Sequence, residues 1–151
     1  MVRFVPVAVT LVITGLLTRL LGPVSGASAA DPVPTPKPIL FARGASQGTV
    51  EGNVLRGERD LYSITAGAGQ AMTVTITAPE GNAAFQIYEP GSRIARDKDG
   101  ILEVAGNALR GAGETDDANR WAGRLPRGGA YLVVIGSTRG NAGYTLHVKI
   151  E

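Results

Sequence analysis

Between Met72 and Thr77 apolar side chains and threonines alternate without a slip, as Met72-Thr73-Val74-Thr75-Ile76-Thr77. Successive side chains of an extended chain point to opposite faces, so this run predicts a strand with one face in a core and one in water. Before it, Leu61-Tyr62-Ser63-Ile64-Thr65 reads as a short strand closed by the turn Ala66-Gly67-Ala68-Gly69-Gln70. After it, the break Pro79-Glu80-Gly81-Asn82 leads into Ala84-Phe85-Gln86-Ile87-Tyr88 and Pro90-Gly91. Three strands in about thirty residues, parted by Gly, Pro and Asn, predict an antiparallel β-sandwich.

The same reading places further strands at 39–41, 49–53, 120–124, 130–135 and 143–150, about eight in all. In the last, Tyr144, Leu146, Val148 and Ile150 face one way, and Thr145, His147 and Lys149 the other. Gly128-Gly129 and Gly140-Asn141 read as turns, because Gly and Asn tolerate the positive φ of hairpin connections. The predicted inward set is Tyr62, Ile64, Met72, Val74, Ile76, Phe85, Ile87, Tyr131, Val133, Leu146 and Val148. The stretch 101–113, with apolar Ile101, Leu102, Val104, Ala105 and Leu109, fits either a short helix or a covered loop.

The first residues read as an address. Arg3 precedes an almost wholly apolar run from Phe4 to Leu17, and small residues lead to Ala27-Ser28-Ala29, an A-x-A cleavage site. Residues 1–29 are thus expected to be a cleaved signal peptide, leaving Ala30 or Asp31 at the start of a periplasmic or secreted protein. Thr10, Thr14, Gly15 and Arg19 interrupt the run short of the roughly 20 apolar residues that span a bilayer, so no membrane span is expected after cleavage. Residues 30–38 carry proline at 32, 34, 36 and 38, the composition of an extended tether. The folded domain is expected over 39–151.

Cysteine is absent, which excludes a lipoprotein anchor, disulfides and thiolate-held metals. Of 15 Lys and Arg, two lie in the leader, leaving 13 against 13 Asp and Glu. A neutral mature chain with interspersed charges has no footprint for nucleic acid.

Catalytic chemistry is thinly supplied. The one histidine, His147, falls on the outward face of the last strand, where a Ser-His-Asp arrangement cannot enclose it. No nucleophile-elbow sequence surrounds a serine, so no catalytic residue is assigned and the chain is not expected to be an enzyme. Gly67-Ala68-Gly69 and Gly111-Ala112-Gly113 lack the Gly-Lys-Ser/Thr ending of a phosphate loop and read as turns. Two acidic runs, Asp97-Lys98-Asp99-Gly100 and Glu114-Thr115-Asp116-Asp117, offer the oxygen ligands that calcium takes. Asp97, Asp99, Glu114, Asp116 and Asp117 are therefore candidate ligands for Ca²⁺ in a calcium-stabilised structural or carbohydrate-binding domain; the alternative is a pair of solvated loops. No other cofactor is implied. Trp121 is either a platform for a sugar or protein partner, or an edge residue of the core.

Several blocks, in order, resemble the bacterial pre-peptidase C-terminal domain family and the related periplasmic inhibitors of goose-type lysozyme. They are Phe41-Ala42-Arg43-Gly44-Ala45-Ser46, Asp60-Leu61-Tyr62, Ala66-Gly67-Ala68-Gly69-Gln70 and Tyr88-Glu89-Pro90-Gly91. Further on come Trp121-Ala122-Gly123-Arg124-Leu125-Pro126, Gly129-Ala130-Tyr131 and Tyr144-Thr145-Leu146-His147-Val148. The resemblance implies a jelly-roll-like sandwich that binds a protein or polysaccharide of the cell envelope and catalyses nothing. It further implies an arginine-rich loop, before the final strand, that enters the lysozyme cleft. Arg139 falls at the first arginine of that motif, followed by Gly140-Asn141-Ala142, while the second arginine is missing and Gly143 leads straight into the strand. Arg139, Asn141 and Trp121 are the candidate partner-binding residues, and a goose-type lysozyme the partner implied. The acidic insertion 92–118 has no place in the inhibitor pattern.

Overall fold

The computed structural model describes residues 31–151; the signal-like segment 1–29 lies outside them. Ten strands follow in order: β1 (Lys37–Pro38), β2 (Gln47–Val54), β3 (Arg59–Ala66), β4 (Ala71–Thr77), β5 (Ala83–Tyr88), β6 (Arg93–Arg96), β7 (Leu102–Ala105), β8 (Arg120–Arg124), β9 (Gly129–Ser137) and β10 (Ala142–Ile150). One sheet has the order β1-β3-β9-β5 and a second the order β2-β10-β4-β8, with β6 and β7 forming a separate hairpin. No helix of the described residues is long and apolar enough to cross a membrane.

The alternation read in the sequence is the alternation of the sandwich. Along β10 every second residue from Ala142 to Ile150 is buried, and β4 buries Met72, Val74 and Ile76 opposite it. Their register pairs Leu146 with Ile76 and Val148 with Val74, so two rows of apolar side chains enter the core side by side. Each member of the predicted inward set lies in the main core between the two sheets. Burying a side chain of this size contributes about 1.5–3 kcal/mol.

Two expectations are corrected. Residues 39–41 are not a strand: Lys37 and Pro38 instead pair parallel with Tyr62 and Ser63 at the sheet edge, where proline's missing N–H is harmless. Ile39 then turns its side chain into the core while its N–H donates to the Ser63 carbonyl at 2.8 Å. The strand count is ten rather than about eight, because the insertion holds a hairpin where a helix or covered loop was expected over 101–113. Arg93 to Arg96 pair with Ala105 to Leu102. This places Ile94, Leu102 and Val104 on one face, packed with Ala108 against Leu61, Tyr88, Leu132 and Val134 of the first sheet.

That third layer accounts for the composition of β9. Tyr131-Leu132-Val133-Val134-Ile135 has no polar position, as befits a strand buried on both faces. Tyr131, Val133 and Ile135 enter the main core, and Leu132 and Val134 lie under the hairpin.

Phe85, 1% exposed, is one of the largest fully buried side chains of the main core. Phe85→Ala is expected to lower the stability of the mature domain by about 3–5 kcal/mol in urea unfolding. A loss under about 1 kcal/mol would show that the two sheets are not packed through this side chain.

Candidate functional site

Three turns meet beside the Arg139 candidate. The β2–β3 turn, 55–58, closes with Glu58 N–H donating to the Leu55 carbonyl at 3.0 Å, and Gly57 takes a φ of 84°. The β9–β10 turn, 138–141, carries Arg139 and turns at Gly140, φ 57°. The β4–β5 loop, 78–82, ends at Asn82, the one buried polar residue of the described core.

Asn82 organises the Arg139 turn. Its side-chain amide donates to the carbonyls of Arg139 at 3.2 Å and Asn141 at 2.8 Å, and its own carbonyl accepts from Thr138 N–H at 2.8 Å. Asn141 Oδ1 accepts from the backbone N–H of Arg56 at 3.0 Å, joining this turn to the β2–β3 turn. Arg139 Nη2 donates to the Glu80 carbonyl at 2.9 Å, which aims the guanidinium along the loop surface. Arg56, Ser137, Thr138, Arg139 and Gly140 together line a depression of about 380 Å³. Arg56 and Arg139 are both exposed, and the ion pairs among the described residues involve neither.

The candidate residues therefore separate. Arg139 stands at the surface. Asn141, read as a contact residue, spends its side-chain oxygen on Arg56 and so positions the second turn. Trp121 is not in the lining of the depression. Its partly buried indole packs against the core, lies close enough to Gly123 that a β-carbon there would come within 2.9 Å, and donates from Nε1 to the Arg110 carbonyl at 3.0 Å. The edge reading of Trp121 is the one its contacts match. Arg56 was missed in the sequence; the signal was the motif's missing arginine, which directs attention to other loops that could supply one.

The five acidic candidates do not converge. Asp97 Oδ1 accepts from the N–H groups of Asp99 at 2.9 Å and Ile101 at 2.8 Å, closing the β6–β7 turn, and Asp99 pairs with Lys98 at 2.6 Å. Asp116 Oδ2 accepts from Gly113 N–H at 2.7 Å in its own loop. Among the described residues no three His, Cys, Asp or Glu side chains group as a metal ion would need. Each acidic run is folded into its own turn, which is why they do not form one site. His147, half-buried on the outer face of β10, has Nδ1 at 3.0 Å from Thr49 Oγ1.

Beneath the turns the two sheets are tied by hydrogen bonds. Tyr144 of β10 donates to Asp60 Oδ2 of β3 at 2.5 Å, which leaves Tyr62 to donate to the Tyr144 hydroxyl at 2.9 Å. Across the ladder stands Gly52, where any β-carbon would collide with that hydroxyl. Burial, then the hydrogen bonds to Asp60 and Tyr62, push the Tyr144 pKa well above the ordinary tyrosine value.

Fold and turns together define an antiparallel β-sandwich that presents a bracket of loops beside Arg139. No family model and no curated protein matches the chain. Among solved structures, Aeromonas hydrophila PliG, a periplasmic lysozyme inhibitor of g-type lysozyme, is 30% identical, with 78% of this chain and 96% of that one covered and a TM-score of 0.57. Salmonella Typhimurium PliG, also a periplasmic inhibitor of g-type lysozyme, is 22% identical over 78% of this chain and 100% of its own, with a TM-score of 0.52. A mutant of the Escherichia coli PliG gives the same identity, coverage and TM-score. The chain belongs to the PliG family of periplasmic inhibitors of g-type lysozyme.

The raised pKa of Tyr144, and in the same direction that of Tyr88, is expected to limit stability at alkaline pH. A folded pKa above the unfolded one contributes stability that is whole below the unfolded value, about 10, and is lost as pH rises toward the folded value. The melting temperature is therefore expected to fall above about pH 10, and Tyr144→Phe to flatten that fall while lowering stability by about 1–3 kcal/mol at pH 7. An unchanged alkaline slope in the variant would show that other groups set it.

Proposed function

We propose that this protein is an exported, non-catalytic inhibitor of a g-type lysozyme, and that it holds the enzyme through Arg56 and Arg139. The observation that carries this reading is the pair of exposed guanidiniums on two turns locked together by Asn141 and Asn82. The inhibitor pattern asks for two arginines on one loop; here the β2–β3 turn offers the second. Fixed turns matter because a planar five-donor head recognises a carboxylate bidentately only when its base is held still.

Family membership supports the partner, and the apolar leader with its Ala27-Ser28-Ala29 site supports export to the periplasm. The residue inventory supports the non-catalytic part, since cysteine is absent and the single histidine is engaged with Thr49 on a strand face.

Excess mature protein is expected to suppress g-type lysozyme activity on peptidoglycan. Arg139→Ala and Arg56→Ala should each weaken inhibition about tenfold, the cost of truncating an anchoring arginine, and the double variant should remove most of it. Full inhibition by the double variant would move the contact elsewhere on the sandwich. No inhibition by the unaltered protein would remove the lysozyme as partner.

A further inference from the structure

The hairpin does not roof the whole outer face of the first sheet. Between it and the β9–β10 turn lie two adjoining depressions of about 250 and 340 Å³ that share Arg59, Gln86, Glu114 and Val134 in their lining, together called the trough. Toward the turn its lining adds Asp117, Ser137 and Thr138. Toward the hairpin it adds the aliphatic wall of Leu102 and Val104.

The charged groups of this trough are unpaired among the described residues, while Gln86 Oε1 accepts from the Tyr88 hydroxyl at 3.0 Å. Arg59 bonds only the neighbouring Glu58 carbonyl, from Nη1 at 3.1 Å, and enters none of the ion pairs among the described residues. Glu114 and Asp117 are likewise outside those pairs. Ser137 Oγ is buried and has no hydrogen-bond partner. Asp117 is the one non-glycine residue of the described chain at positive φ, 44°, a conformation that persists where surroundings impose it and that recurs at binding sites. Arg59 and Glu114 act on common ground: burial raises the Tyr88 pKa, Glu114 adds to the rise and Arg59 opposes it.

A guanidinium and three carboxylates, those of Glu103, Glu114 and Asp117, line this space without pairing with each other, and such a lining discriminates by charge. A simple cation is repelled by Arg59 and a simple anion by Glu114 and Asp117. A molecule with both charges on adjacent carbons answers both. We propose that the trough is a binding site for a free α-amino acid with an aliphatic side chain. The ligand carboxylate takes the Arg59 fork, and its ammonium lies between Glu114 and Asp117. The side chain runs along Leu102 and Val104.

Amide-resolved NMR titration of the mature protein tests this with L-leucine, leucinamide (no carboxylate) and N-acetyl-leucine (no ammonium). L-leucine is expected to shift the amides of Arg59, Gln86, Glu114 and Ser137 saturably, with both analogues at least about tenfold weaker. Arg59→Gln and Glu114→Gln, at exposed positions, should each weaken L-leucine about tenfold while the spectra stay dispersed. Arg59→Gln should leave leucinamide unchanged. No saturable shift with L-leucine, equal affinity for the three probes, or unchanged binding in either folded variant overturns the proposal.

Discussion

The hydrogen bonds of Asp60, Tyr144 and Tyr62 fix how the two sheets of this molecule sit on each other. They cross from β10 in one sheet to β3 in the other in a protein with no cysteine to staple its sheets. Apolar burial is nondirectional and would hold the sheets together in several relative placements. A tyrosine hydroxyl donating to a carboxylate is directional and fixes one of them. Asp60 is the second residue of β3, which follows the β2–β3 turn, and Tyr144 lies just past the β9–β10 turn. The tie therefore fixes the two sheets that both turns bridge, while the β2–β10 and β3–β9 ladders bring Arg56 beside Arg139. Gly52 is part of the device, because only a residue without a β-carbon leaves room for the hydroxyl.

Much of the fold was legible in the chain because period-two alternation survives wherever a strand has one wet face. Ala71–Thr77 and Arg120–Arg124 lie where the pattern put them, and the predicted inward residues are core residues. The hairpin of the insertion was not legible. Its strands are four residues each, too short to show a period, and their burial is partial because they cover a sheet rather than enter the main core. The signal was in another element: the unbroken apolar run of β9 requires a cover on its second face, and the insertion is that cover.

The site was less legible for a different reason. Arg139 could be placed by position in a motif, but the role of Asn141 depends on which backbone groups the fold brings to its side chain, and those belong to a turn 85 residues away in sequence. Arg56 is an unremarked residue of a Leu-Arg-Gly-Glu turn until the sandwich sets it beside Arg139. In the acidic runs the same logic is reversed: local hydrogen bonds engage Asp97 and Asp116 within their own turns.

In the proposed complex the loop bracket of 55–58 and 138–141 meets the partner, and the hairpin remains a structural cover. Hydrogen exchange of the mature protein, free and bound to a g-type lysozyme, tests it most directly. Slowed exchange confined to those two turns and the adjoining 78–82 loop is the result the account requires. Protection centred on the β6–β7 tip at 97–101, or on β8 around Trp121, with the arginine turns unchanged, would contradict it.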